Sequence, residues 1–86
     1  MKHYLITIKV IYEEHEYYLK PLIDFEGDIA DHKAVLEAHF KDTVVYNKYL
    51  CDYTLPNNER YNHCYLRVEH IEEVHPEEAR ILEYWL

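Results

Sequence analysis

Seven histidines and two cysteines are the side chains of this 86-residue chain whose chemistry could be metal binding or thiol catalysis. Zinc needs four ligands converging at about 2.0–2.3 Å, and they usually arrive in close pairs along the chain. The spacing here does not supply them. His63 and Cys64 are adjacent in a segment that reads as a strand, so they point to opposite faces, and His70 lies six residues, or about 20 Å, beyond Cys64. His32 and His39 share a face of a predicted helix, but paired histidines on an exposed helix are ordinarily solvated, and His70 with His75 fare no better. No metal site and no cofactor is expected.

A nucleophilic cysteine requires an electropositive, partly exposed setting beside a histidine. Cys51 and Cys64 both fall mid-strand toward the predicted core of a chain with net charge −8, which raises a thiol pKa rather than lowering it. Inert thiols are the expectation. Asp52 and His63 resemble an orienter and a base, yet the chain has no serine, and Thr54 is the one threonine nearby. A cross-strand ion pair accounts for them as well. The single glycine excludes a Gly-rich phosphate loop. No residue is assigned a catalytic role, and the chain is not expected to be an enzyme.

The elements that must position these groups can be read from periodicity. One domain spanning residues 1–86 is expected, since this length builds one modest core. From His3 to Glu14, Tyr4, Ile6, Ile8, Val10 and Tyr12 alternate with a partly polar set, which is a strand. Glu16 to Phe25 repeats the pattern across a Glu13-Glu14-His15-Glu16 turn, forming a hairpin. Pro21 removes a ladder donor and places that part at a sheet edge or a bulge. Gly27-Asp28 ends the strand, and Asp28 followed by Asp31 supplies an N-cap and a negative first turn for a helix running to about Phe40, with Ile29, Leu36 and Phe40 on its buried stripe.

Thr43–Thr54 and Arg60–Ile71 read as two further strands joined at Leu55-Pro56-Asn57-Asn58-Glu59. A tight turn there makes paired positions sum to 115, setting Cys51 opposite Cys64, Asp52 opposite His63 and Lys48 opposite Arg67. Facing cysteines at strand spacing are further apart than a disulfide prefers, so both are expected reduced. Pro76, followed by Glu77 and Glu78, starts a last helix with Ala79, Leu82, Trp85 and Leu86 on its apolar stripe. The predicted fold is therefore α+β in ββαββα order, a four-stranded antiparallel sheet with two helices packed on one face. No apolar segment is long enough to span a bilayer or to form a secretory signal, which predicts a cytoplasmic protein.

Seventeen acidic residues against nine basic ones disfavour direct contact with nucleic acid or anionic membranes and favour a partner with a basic surface. The charge of −8 is less than half of what duplex DNA carries over the same width, about 18 charges over about 30 Å, so imitation of nucleic acid must be local. Three acidic groups stand out: Glu13, Glu14 and Glu16; Asp24, Glu26, Asp28 and Asp31; and Glu69, Glu72, Glu73, Glu77 and Glu78. The second is the expected contact, because Asp24 and Glu26 share a strand face and the helix cap continues the negative track. Ten tyrosines exceed what one small core can hold. Exposed tyrosine beside carboxylate suits an Arg-rich partner. Tyr46, Leu50, Tyr61 and Tyr65 are expected on the outward face of the second hairpin, as a partner patch or the seal of a homodimer.

In size, charge and element pattern, and not in residue motifs, the chain resembles the small anti-defence proteins of phages and mobile elements, such as anti-CRISPR and anti-restriction inhibitors. That resemblance implies a non-enzymatic inhibitor occupying the basic, nucleic-acid-binding surface of a larger protein. A self-associating homodimeric scaffold without such a target is the alternative.

Overall fold

The computed structural model describes the chain from Lys2 to Trp85. Its central element is β1 (Lys2–Tyr12), in which Tyr4, Ile6, Ile8 and Val10 are buried while the odd positions remain partly exposed. That alternation follows from the period of two of an extended chain, and each fully buried isoleucine contributes about 2 kcal/mol. A two-residue turn at Glu13 and Glu14, with Glu13 in the left-handed region at φ 54°, leads into β2 (His15–Leu19). The chain then continues along the same side of β1 as β3 (Leu22–Phe25).

The expected single strand from Glu16 to Phe25 is thus two strands, divided at Lys20 and Pro21. Proline interrupts the ladder without moving the chain from the edge, since the Pro21 carbonyl still accepts from Ile6 N at 3.0 Å. After β3, Asp28 holds a turn through Ala30 N at 2.9 Å, and Asp31 caps α1 (His32–Phe40) through Ala34 N at 3.2 Å. The helix begins at His32, so Ile29 precedes it and lies exposed, while Val35 and Leu36 are buried.

The largest departure from expectation lies in the middle of the chain. Thr43–Thr54 is not one strand but a hairpin of its own, β4 (Val45–Asn47) and β5 (Asp52–Thr54). Asn47 makes the turn: its Oδ1 accepts from Tyr49 N at 3.0 Å and Leu50 N at 3.2 Å, and Cys51 closes it at φ 57°. Asn58 acts likewise, its Oδ1 accepting from Arg60 N and Tyr61 N at 2.9 Å, so residues 55–64 form a connection rather than a tight hairpin turn. The last strand, β6 (Tyr65–Val74), starts and ends later than expected and pairs with β5 through Tyr53 and Leu66, a sum of 119 rather than 115. Cys51 therefore does not face Cys64, nor Asp52 His63, nor Lys48 Arg67.

The result is a six-stranded sheet, not a four-stranded one, in the order β2-β1-β6-β5-β4 with β3 also on β1, and the chain order is βββαβββα rather than ββαββα. Every pair is antiparallel. A bulge at Glu69 shifts the register, Thr7 facing His70 and Ile8 facing Val68. Without it, Ile71 would not share the core face with Ile6. α1 supplies Val35 and Leu36 to the core formed with Tyr4, Ile6, Ile8, Val10, Leu66 and Val68. α2 (Pro76–Trp85) supplies Ala79, which is buried, as is Val74, and the helix lies against β1 and β3. Leu82 is half-buried, and the Trp85 side chain and Leu86, expected on the same stripe, lie outside the described residues. Among the described residues no helix is long and apolar enough to cross a membrane.

Candidate protein-interaction surfaces

The groups with catalytic potential are held apart. Asp52 is buried and accepts from Arg67 Nε at 2.9 Å, and this bond raises the Arg67 pKa further. His63 is exposed in the connection before β6. Cys51 lies exposed in the β4–β5 turn, whereas Cys64 is buried and burial pushes its thiol pKa up, away from reactivity. Among the described residues, no three histidine, cysteine or carboxylate side chains are grouped to hold a metal ion. His39 is half-buried at the end of α1, its ring 4.7 Å from that of Phe40, and desolvation lowers its pKa.

The expected acidic contact runs from the end of β3 to the start of α1. Asp24 Oδ1 meets His3 Nδ1 across the β1–β3 pair. Glu26 follows β3 and lines, with Lys2, Tyr4, Phe25 and Gly27, a cavity of about 310 Å³. Gly27, at φ 137°, lies over the Phe25 ring. Asp28 and Asp31 remain exposed, but each spends one carboxylate oxygen on backbone N–H groups.

Strand pairing enlarges this track in a way no local spacing signals. β1 carries β3 on one side and the second half of β6 on the other, so Leu22, Leu5 and Glu72 form one rung, Ile23, Tyr4 and Glu73 the next, and Asp24, His3 and Val74 the third. β6 then passes through His75 directly into α2, whose first turn carries Glu77 and Glu78. Asp24, Glu26, Glu72, Glu73, Glu77 and Glu78, drawn from two groups distant in the sequence, collect at one end of the sheet. Lys2 and His3 of β1 are already engaged at this end, Lys2 with Glu73 at 3.8 Å and His3 with Asp24. Glu13, Glu14 and Glu16 lie at the other end of β1, where Glu16 pairs with Lys9 at 3.3 Å.

The expected aromatic patch is divided. Tyr61 packs edge-on against Phe40 at 5.2 Å beneath the core, and Tyr65 stands on the outward face of β6 beside Ile11. Tyr46 and Leu50 stay together on the β4–β5 hairpin, where Tyr46 packs on Tyr53 at 5.0 Å. A hydrogen bond with the Cys51 thiol raises the Tyr46 phenol pKa. Val45 completes this exposed group with Tyr49, which the register summing to 115 sets against Leu66 on the core face and which is instead the most open at 87%, because Leu66 pairs with Tyr53. The signal for Tyr49 was Asn47, which turns the chain two residues earlier.

Scans of this chain against protein-family models, curated proteins and solved structures return no match.

Proposed function

We propose that this chain is a small, non-enzymatic binding protein whose acidic end occupies a basic surface of a larger, nucleic-acid-handling protein, in the manner of anti-CRISPR and anti-restriction inhibitors. The observation that carries this reading is the gathering of six carboxylates, from β3 and the residue after it, β6 and α2, at the end of the sheet where β1 starts. Clustered charge of one sign raises the local potential well above that of a scattered −8, steers association and suits the arginines and lysines that line nucleic-acid-binding grooves. Phe25, partly exposed beside Glu26 at the 310 Å³ cavity, adds an aromatic wall on which a guanidinium can rest. Inhibition by such a surface is steric and electrostatic and needs no bond-making step.

A nona-arginine peptide serves as the probe. Affinity should fall several-fold as salt rises from about 50 to about 300 mM. It should also fall in the triple variant Glu72→Gln, Glu73→Gln, Glu77→Gln, and much less in Glu13→Gln, Glu14→Gln, Glu16→Gln, which removes the same charge elsewhere. Equal losses in the two variants would reduce the effect to net charge and remove the acidic end from consideration. Partners captured from the native host should then be released by duplex DNA, which competes for the same surface.

A further inference from the structure

The β4–β5 hairpin differs from the rest of the surface. β4 ends the sheet, so among the described residues one side of its backbone has no neighbouring strand, and alternate residues of an edge strand leave N–H and C=O groups for another chain. Beside that edge, Val45, Tyr46, Tyr49 and Leu50 are exposed by 45, 48, 87 and 47%. Val45, Tyr46 and Tyr49 line a groove of about 450 Å³ that Asn47, Lys48 and Thr54 also shape. Charge is the second peculiarity. From Thr43 to Thr54 the only ionisable acid or base side chains of the Asp, Glu, Lys and Arg kinds are Lys48 and Asp52, and Asp52 is buried against Arg67.

From these observations we infer that β4 pairs with β4 of a second copy of this chain, antiparallel about a two-fold axis, forming a continuous sheet through both. The occupant follows from charge. Two copies that each carry −8 repel, so contact is least costly where exposed carboxylates are missing, and the 43–54 segment is such a place. A basic partner would find no carboxylate there to meet, whereas a self-complementary edge rimmed by phenols meets itself. The four exposed side chains offer roughly 400 Å² per copy, and thus about 800 Å² in the pair before the backbone contribution. That is below the roughly 1,200 Å² at which stable specific interfaces begin, so the dimer is weak and reversible. With Tyr46 opposite its own counterpart, the Tyr53–Tyr46 stack extends across the junction into one aromatic row.

Sedimentation or light scattering between about 20 μM and about 1 mM reads this directly, since the mean mass should rise from 10.6 kDa toward twice that value and no further. Raising salt should strengthen the association by screening net repulsion, the opposite of the response expected for the acidic end with a cationic partner, so either proposal can fail without the other. Tyr46→Asp should weaken dimerisation at least tenfold. Tyr18→Asp makes the same change on β2, where Tyr18 is 54% exposed, and should leave dimerisation unaltered. Should Tyr46→Asp lose its folded circular-dichroism signature, Tyr49→Asp decides instead, because that ring is open to solvent. A monomeric mass at 1 mM in both low and high salt, growth beyond the dimer, or equal loss in the Tyr18 variant would overturn the inference.

Discussion

The two cysteines offer the sharpest check on the register of the sheet. With Tyr53 opposite Leu66, continuation of that register sets Cys51 against Val68, four residues from Cys64. Four residues at about 3.3 Å and one strand spacing of about 4.8 Å put the two Cα atoms about 14 Å apart, against the roughly 7 Å limit for a disulfide. The register of a tight Pro56–Glu59 turn would instead hold them about 5 Å apart. Oxidation of the native monomer with diamide should therefore give no intramolecular disulfide. A pulse of iodoacetamide followed by peptide mass spectrometry should find Cys51 alkylated promptly. Cys64, 5% exposed and with its thiol pKa raised by burial, reacts only through local opening. An opening cost of about 3 kcal/mol makes that slower by about 150-fold, and denaturant should abolish the difference. A monomer two mass units lighter after oxidation, or equal alkylation of both thiols in the folded protein, would refute the register and with it the placement of Asp52 beside Arg67.

Two further outcomes test the core and the end of α1. Leu36→Ala removes a fully buried side chain where α1 meets the sheet and should cost about 3 kcal/mol in urea unfolding, with an unchanged slope if the transition stays two-state. His39 has a folded-state pKa below its unfolded value of about 6.5, so the unfolded chain takes the proton first. The stability that neutral His39 preserves is complete above about pH 6.5 and declines as pH falls from there through the folded pKa. Urea midpoints across that window should flatten in His39→Gln, and an NMR titration of the His39 ring should find its midpoint below the ordinary histidine value.

Much of the fold was legible where a local physical cause decides it. The alternation of Tyr4, Ile6, Ile8 and Val10 names a strand and its buried face, and Pro76 marks a helix start through its fixed φ, whereas the cap of α1 lies at Asp31, three residues beyond the expected Asp28. Pro21 was enough to put its segment at an edge. The 43–54 segment misled because Val, Tyr and Thr favour extended backbone, while Asn47 and Asn58 held the turn information in side-chain hydrogen bonds that periodicity does not weigh. The candidate surfaces divided along the same line. Asp24, Glu26, Asp28 and Asp31 read as one negative track in the sequence, whereas Glu72 and Glu73 come beside Leu5 and Tyr4 only through strand pairing, and Tyr61 leaves the expected patch because Phe40 offers it a packing partner.

By itself the sequence determined the α+β class, the buried face of β1, the presence of two helices and a surplus of negative charge, which rest on composition or on neighbours within a few residues. Tertiary structure alone decided the six-strand order, the Glu69 bulge, the separation of the two thiols and the gathering of carboxylates at one end. The reason is that an antiparallel register is chosen by the joint burial of residues as far apart as Ile6 and Ile71, and a shift of a single residue exchanges one face of a strand for the other.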